Sequence, residues 1–275
     1  MLHRLSMLWP DGLRKALTFS YDDGVMQDLK LISLFRLYGL KGTFNLNSAL
    51  FGQIDVIAHG GREYDHSHVP EEDIAHVYAG FEAAIHTAHH PHLTQLSNVN
   101  AAEEILADRA AIEALVRYPV RGMAYPFGET DARVKEIVRV LGVTYARGTR
   151  TTGDCSLPVD PYDWATSCHH AELEHLIEPF LGDAARASLL SVWGHAYEFD
   201  MTGTWDAFEG MLERLGGNDD VWYASNIEVF DYLAAHRALR FTADGAVVEN
   251  PSATDVFLDV DGETLCIPGG ERMEI

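Results

Sequence analysis

The chain has 275 residues, 47% of them hydrophobic, enough for a sizeable core and too apolar for a disordered chain. Its formal net charge of −22 argues against nucleic acid and anionic membrane surfaces as partners, because both attract Lys and Arg. Cys155, Cys168 and Cys266 are far apart and odd in number, so neither a disulfide framework nor a cysteine zinc site is implied.

The first ten residues hold no long apolar run, so no signal peptide or membrane span is expected, and a cytoplasmic location is the default. Leu17, Thr18 and Phe19 then form a strand-like run ending in two adjacent carboxylates, Asp22 and Asp23, closed by Gly24. Two ionised carboxylates side by side repel, and a structure that holds them together usually supplies a cation. One Asp would grip a metal and the other move a proton; the plainer alternative is a strand ending in a polar turn. An amphipathic helix follows over residues 26–38, stopped by Gly39, and then a strand over residues 43–46. Strand, helix, strand begins a parallel α/β architecture.

Residues 47–80 break that pattern, and so long a connection is either functional or carries short elements of its own. His66 and His68 lie in this acidic stretch and read as solvated loop residues before they read as the lining of a groove. The apolar run from Phe81 ends in His86-Thr87-Ala88-His89-His90-Pro91-His92. His86 and His90 are four apart, which on one helical turn puts both imidazoles on one side, as a zinc site requires. A solvated polar turn is the competing reading.

Asn100 reads as the N-cap of a helix over residues 101–116, with Glu103, Glu104, Asp108 and Glu113 on its solvated face. Residues 121–125 form a strand entering a Pro126-Phe127-Gly128 turn, followed by a helix over 130–141 and a strand over 143–146 that ends at Arg147. The run 188–195 is a strand ending in His195. A helix is expected over 205–215, a strand over 221–223 and a helix over 226–238. From residue 239 short strand candidates alternate with Asp-Gly and Gly-Gly turns, so residues 1–238 read as a main domain and 239–275 as a small β appendage packed on it.

Four strand-like runs thus end in Asp22-Asp23, His86, Phe127 and His195, and parallel α/β barrels gather their chemistry at such strand ends. Together these residues resemble the polysaccharide deacetylase (NodB-like) carbohydrate esterase family. Its first motif, Thr-Phe-Asp-Asp-Gly, reads Ser20-Tyr21-Asp22-Asp23-Gly24 here, and its second, His-Ser/Thr-x-x-His, reads His86-Thr87-Ala88-His89-His90. Its third appears as Ala124-Tyr125-Pro126-Phe127-Gly128, and its fifth as Val192-Trp193-Gly194-His195.

The resemblance implies a distorted (β/α) barrel with a divalent metal held by Asp23, His86 and His90, zinc foremost, with cobalt or nickel as alternatives. It implies Asp22 as general base, His195 as general acid, and the Phe127 backbone N–H as an oxyanion donor beside Tyr125. The expected activity is metal-dependent removal of acetyl groups from an N-acetylated or O-acetylated sugar or polysaccharide. An amidohydrolase on a smaller nitrogenous compound and a metal-holding glycan-binding protein without turnover are the alternatives. Two departures stand out. Ala124 replaces the third motif's Arg, and Arg147 is expected to take its place. Asp160-Pro161-Tyr162-Asp163-Trp164 matches the fourth motif in a Pro-containing loop, with Trp164 as a candidate groove-wall aromatic. Glu198, three residues beyond His195, either supports the acid or sits exposed.

Overall fold

A computed structural model describes residues 4–275. Met1–His3, with which the expected main domain and leaderless N-terminus begin, lie outside the described residues. The elements alternate as β1 (Lys15–Asp23), α1 (Asp28–Leu37), β2 (Thr43–Leu46), β3 (Glu82–Ile85), α2 (Asn98–Val116), β4 (Gly122–Ala124), α3 (Ala132–Val140) and β5 (Tyr145–Thr151). They continue as β6 (Trp164–Thr166), β7 (Cys168–His169), α4 (Glu174–Leu181), β8 (Ser188–His195), α5 (Trp205–Leu215), β9 (Val221–Tyr223) and α6 (Asn226–Arg237).

The nine strands form one parallel sheet in the order β7-β8-β1-β2-β3-β4-β5-β6, with β9 also on β1. All nine residues of β1 are buried, as a strand flanked on both sides and covered on both faces must be. The sheet curls until its two edges meet in one stretch of chain. Residues 164–166 pair with β5, residues 168–169 pair with β8, and Ser167 between them donates its N–H to Ser191 O. This is the distorted (β/α) barrel. Aromatic rings fill the main core: Phe19 and Tyr21 both meet Phe35 and Phe208, and Tyr21 also meets Phe44 and Phe199.

The insertion 47–80 carries elements of its own: a hairpin of Val56–His59 with Arg62–Asp65, and a helix at Glu71–Val77. The N-cap of α2 is Ser97, whose side chain accepts from Asn100 N, so the helix starts earlier than Asn100 suggests. Asp108 is not on its solvated face. It is fully buried and accepts the N–H groups of Ser48 and His86, at 2.7 and 2.9 Å. Beyond α6 the chain forms short antiparallel strands, and Val256–Val260 pairs with Leu5–Leu8 from the other end of the chain. Tyr232 on α6 joins these pieces, donating to Leu8 O and accepting from Phe257 N. Among the described residues no helix is long and apolar enough to cross a membrane.

At the end of the barrel away from the strand tips, Glu82 is buried and accepts from Thr43, Tyr145 and the Ile227 N–H. Burial outweighs those donors and pushes its carboxyl up to about 7. The folded state therefore holds a proton that the unfolded chain releases near its ordinary carboxyl range, so the stability contributed here is complete at lower pH and is lost as pH rises through about 7. Urea unfolding of Glu82→Gln at pH 5 and pH 8 should show the variant gaining on the wild type at the higher pH. A gap that does not move with pH would remove Glu82 from this account.

Candidate active site

The strand tips bring the expected residues to one end of the barrel. Asp22 and Asp23 close β1, and register sets His195 of β8 opposite Asp22 on one side and Asn45 of β2 opposite it on the other. Asp22 Oδ2 lies 3.9 Å from His195 Nε2. Asp23 Oδ1 lies 3.4 Å from His86 Nε2 and 3.7 Å from His90 Nε2, and the ligand atoms of these three residues fall within 4.8 Å of one another.

The two imidazoles do not meet on a helical turn. β3 ends at Ile85, and the chain then takes left-handed conformations at Thr87 (φ 66°) and His90 (φ 55°). Asn47 Nδ2 fixes this turn by donating to the carbonyls of His86 and Thr87, at 2.7 and 2.8 Å. Asp23 (φ 79°) and Phe127 (φ 59°) are left-handed too. Non-glycine residues in this region carry strain that persists only where the surroundings over-determine it, as they do at functional sites. His86 Nδ1 lies 2.8 Å from Ala124 O and donates its proton there, which turns Nε2 toward Asp23.

Arg147 reaches Asp22 from β5. Its Nη2 donates to Asp22 Oδ1 in a short buried ion pair, its Nε donates to Ser20 Oγ at 3.0 Å, and its guanidinium lies over the Trp193 ring. Asn45 Nδ2 donates to the same Asp22 oxygen at 2.9 Å. Ala124 is Arg147's register partner on β4, so both side chains leave the sheet on one face, and the small Ala is consistent with a guanidinium there.

On the other flank Glu198 lies against His195. Its Oε1 lies 3.3 Å from His195 Nδ1 and its Oε2 accepts from His195 N at 3.3 Å. Burial works against the imidazolium, but the carboxylates of Glu198, Asp23 and Asp22 outweigh it, and His195 is pushed up to about 9. Burial would raise Asp23, yet His66 and His86 hold its carboxyl well below the usual range. Burial and His86 pull His90 down to about 4, leaving it neutral.

Not every expected residue joins this group. Trp164 is no groove wall: it is 2% exposed and packs edge-on against Tyr145 and Phe230 in a second core cluster. Tyr125 is turned inward, with its hydroxyl donating to Tyr162 O. Asp160 and Asp163 are engaged by Lys135, and Asp163 also by Arg150, so the fourth-motif match lends nothing to the site. The Phe127 ring is half-exposed and stacks on His92 at 3.8 Å, with its edge toward His90. Conversely His66, read from sequence as solvated, hangs from the insertion with Nε2 3.7 Å from Asp23 Oδ2 and Nδ1 3.6 Å from Asp55. Only its acidic neighbours hinted at that.

Residues 11–146 match the family model described as polysaccharide deacetylase. Over that stretch, just under half of its length, the chain is similar to the polysaccharide deacetylase family. The family comprises hydrolases of carbon–nitrogen bonds outside peptides. No curated protein matches the sequence. Among solved structures the chain is similar to a candidate polysaccharide deacetylase from Mycobacterium smegmatis, with 16% identity over 84% of this chain and 94% of that one and a TM-score of 0.61. It is similar to the chitin deacetylase of Colletotrichum lindemuthianum, with 17% identity over 79% and 88% and a TM-score of 0.53. Against the Streptococcus pyogenes deacetylase PplD the identity is 18%, the TM-score 0.42, and the chain covers 48% of itself and spans 55% of that protein. These likenesses are likenesses of fold.

Polysaccharide deacetylases generally use a divalent metal, and the donor set here fits one: a carboxylate and two imidazoles converging, with His86 held in the ligating tautomer. The guanidinium on Asp22 comes from β5, one strand over from Ala124, where the family pattern has an Arg. Breaking a buried ion pair strands its partner's charge, at a cost of roughly 3–5 kcal/mol. Arg147→Ala should lose stability of that order in chemical denaturation, with Arg147→Lys intermediate. Wild-type stability in Arg147→Ala would show that Asp22 does not depend on it.

Proposed function

We propose that the chain is a metal-dependent hydrolase that removes acetyl groups from an N-acetylated or O-acetylated sugar or polysaccharide. The observation that carries this reading is the facing pair of Asp22 and His195, each held by its own counter-charge, beside the group of Asp23, His86 and His90. Asp23, His86 and His90 would hold the ion, zinc foremost; such an ion polarises an acyl oxygen and lowers the pKa of water.

The remaining work falls to the chain's own residues. Arg147 and Asn45 occupy Asp22 Oδ1 and leave Oδ2, on the His195 side, to take a proton from the attacking water. His195, charged at neutral pH, then protonates the departing amine or alcohol, which would otherwise be a poor leaving group. Glu198 holds the ring in place for that transfer. The left-handed turn at Phe127 offers a backbone N–H for the oxyanion. A protein that only bound glycans would need neither a fixed base nor a charged acid.

Purified protein with zinc or cobalt should release acetate from at least one of N-acetylglucosamine oligomers, acetylated xylan and acetylated monosaccharides. Asp22→Asn and His195→Ala should each lower kcat by about 10²–10⁴-fold. Stoichiometric metal binding without acetate from any member of the panel would instead assign the chain to glycan binding.

A further inference from the structure

A second group of ligating side chains lies on the far side of His195. His169 Nε2 is 2.9 Å, and His170 Nε2 is 3.3 Å, from the same oxygen of Glu198, and the three ligand atoms lie within 4.8 Å of one another. The His170 ring packs directly against the backbone of Gly194. A Cβ on Gly194 would fall 2.0 Å from His170 Nδ1, so only glycine leaves room for the ring. His170 is only 5% exposed, so its ring is held in place by the surrounding chain. The group opens on a cavity of about 320 Å³ whose walls include His59, Phe199 and Phe208, with space for water or another small ligand.

We propose that His169, His170 and Glu198 form a second site for a divalent transition metal of the zinc, cobalt or nickel class, distinct from that of Asp23, His86 and His90. Two imidazoles and one carboxylate beside a cavity are the donor set such borderline ions favour. The site is the weaker of the two. His86 has Ala124 O behind its ring, whereas His170 Nδ1 has no hydrogen-bond partner and His169 must give up a 3.3 Å bond from Ala171 N to present its lone pair. Such outer partners are worth roughly 10–100-fold in affinity.

Glu198 couples the two sites. Its Oε1 faces His195 while its Oε2 faces His169 and His170, so an ion drawn to Oε2 competes for the carboxylate that orients the acid. Excess metal therefore slows turnover. That consequence rests on the reading of His195 as the acid; the binding does not.

The test is zinc titration of the full chain against a chromophoric chelator, repeated with cobalt and followed by visible absorption. The wild type should bind two equivalents separated by about 10–100-fold in affinity. His169→Gln should lose the weaker one and keep the tighter; His90→Ala should keep the weaker. Inhibition by excess zinc should disappear in His169→Gln. A single equivalent in the wild type, abolished in His90→Ala, overturns the second site and leaves the first standing. One equivalent that survives in His90→Ala and vanishes in His169→Gln upholds the second site while sinking the assigned ligand set of the first. Should His169→Gln misfold by circular dichroism, His170→Asn replaces it in the same comparison with His90→Ala.

Discussion

The structure turns on two adjacent carboxylates held out of water at the tip of the central strand. Asp22 is 3% and Asp23 8% exposed, and polar groups so deeply buried are costly unless the surrounding chain supplies positive charge or donors. It supplies them separately. Asp22 takes the guanidinium of Arg147 and the amide of Asn45, while Asp23 takes the imidazoles of His66 and His86. The strand tips, the left-handed turns and the insertion all converge on satisfying those two side chains.

The charges paired with Asp22 and His195, by contrast, come from outside the motif positions. Ala124 stands where the family pattern has an arginine, and a guanidinium arrives from the neighbouring strand. The fourth-motif carboxylates are engaged by Lys135 and Arg150, and the carboxylate beside His195 is that of Glu198, at the start of the short helix that follows it. The result is a positive charge against Asp22 and a negative one against His195. The backbone positions that deliver them differ.

This division explains what could be read from sequence. Runs such as Thr43–Leu46, Ser188–His195 and Trp205–Leu215 are bounded by turn residues and carry their own periodicity, so they emerge at the expected positions. Their last residues announce the site, because spacing within one strand or turn is a local property. Side-chain reach across the barrel is not. Nothing local shows that Asp108 turns inward to cap the His86 turn, or that His66 folds back onto Asp23. Trp164 misleads for the same reason: an aromatic beside a motif-like loop gives no sign of which side of the sheet it will enter. The helical spacing of His86 and His90 was suggestive for the wrong reason, since a left-handed turn joins them.

The strand at Leu5–Leu8 has a consequence for how the chain is made. Its only strand partner among the described residues, Val256–Val260, is synthesised about 250 residues later. During synthesis the earliest strand therefore waits with an open edge while the barrel assembles behind it, and such edges invite mispairing. Closing it is a late event that clasps the two ends of the chain through Tyr232, so that loss of the last strands would loosen the first as well.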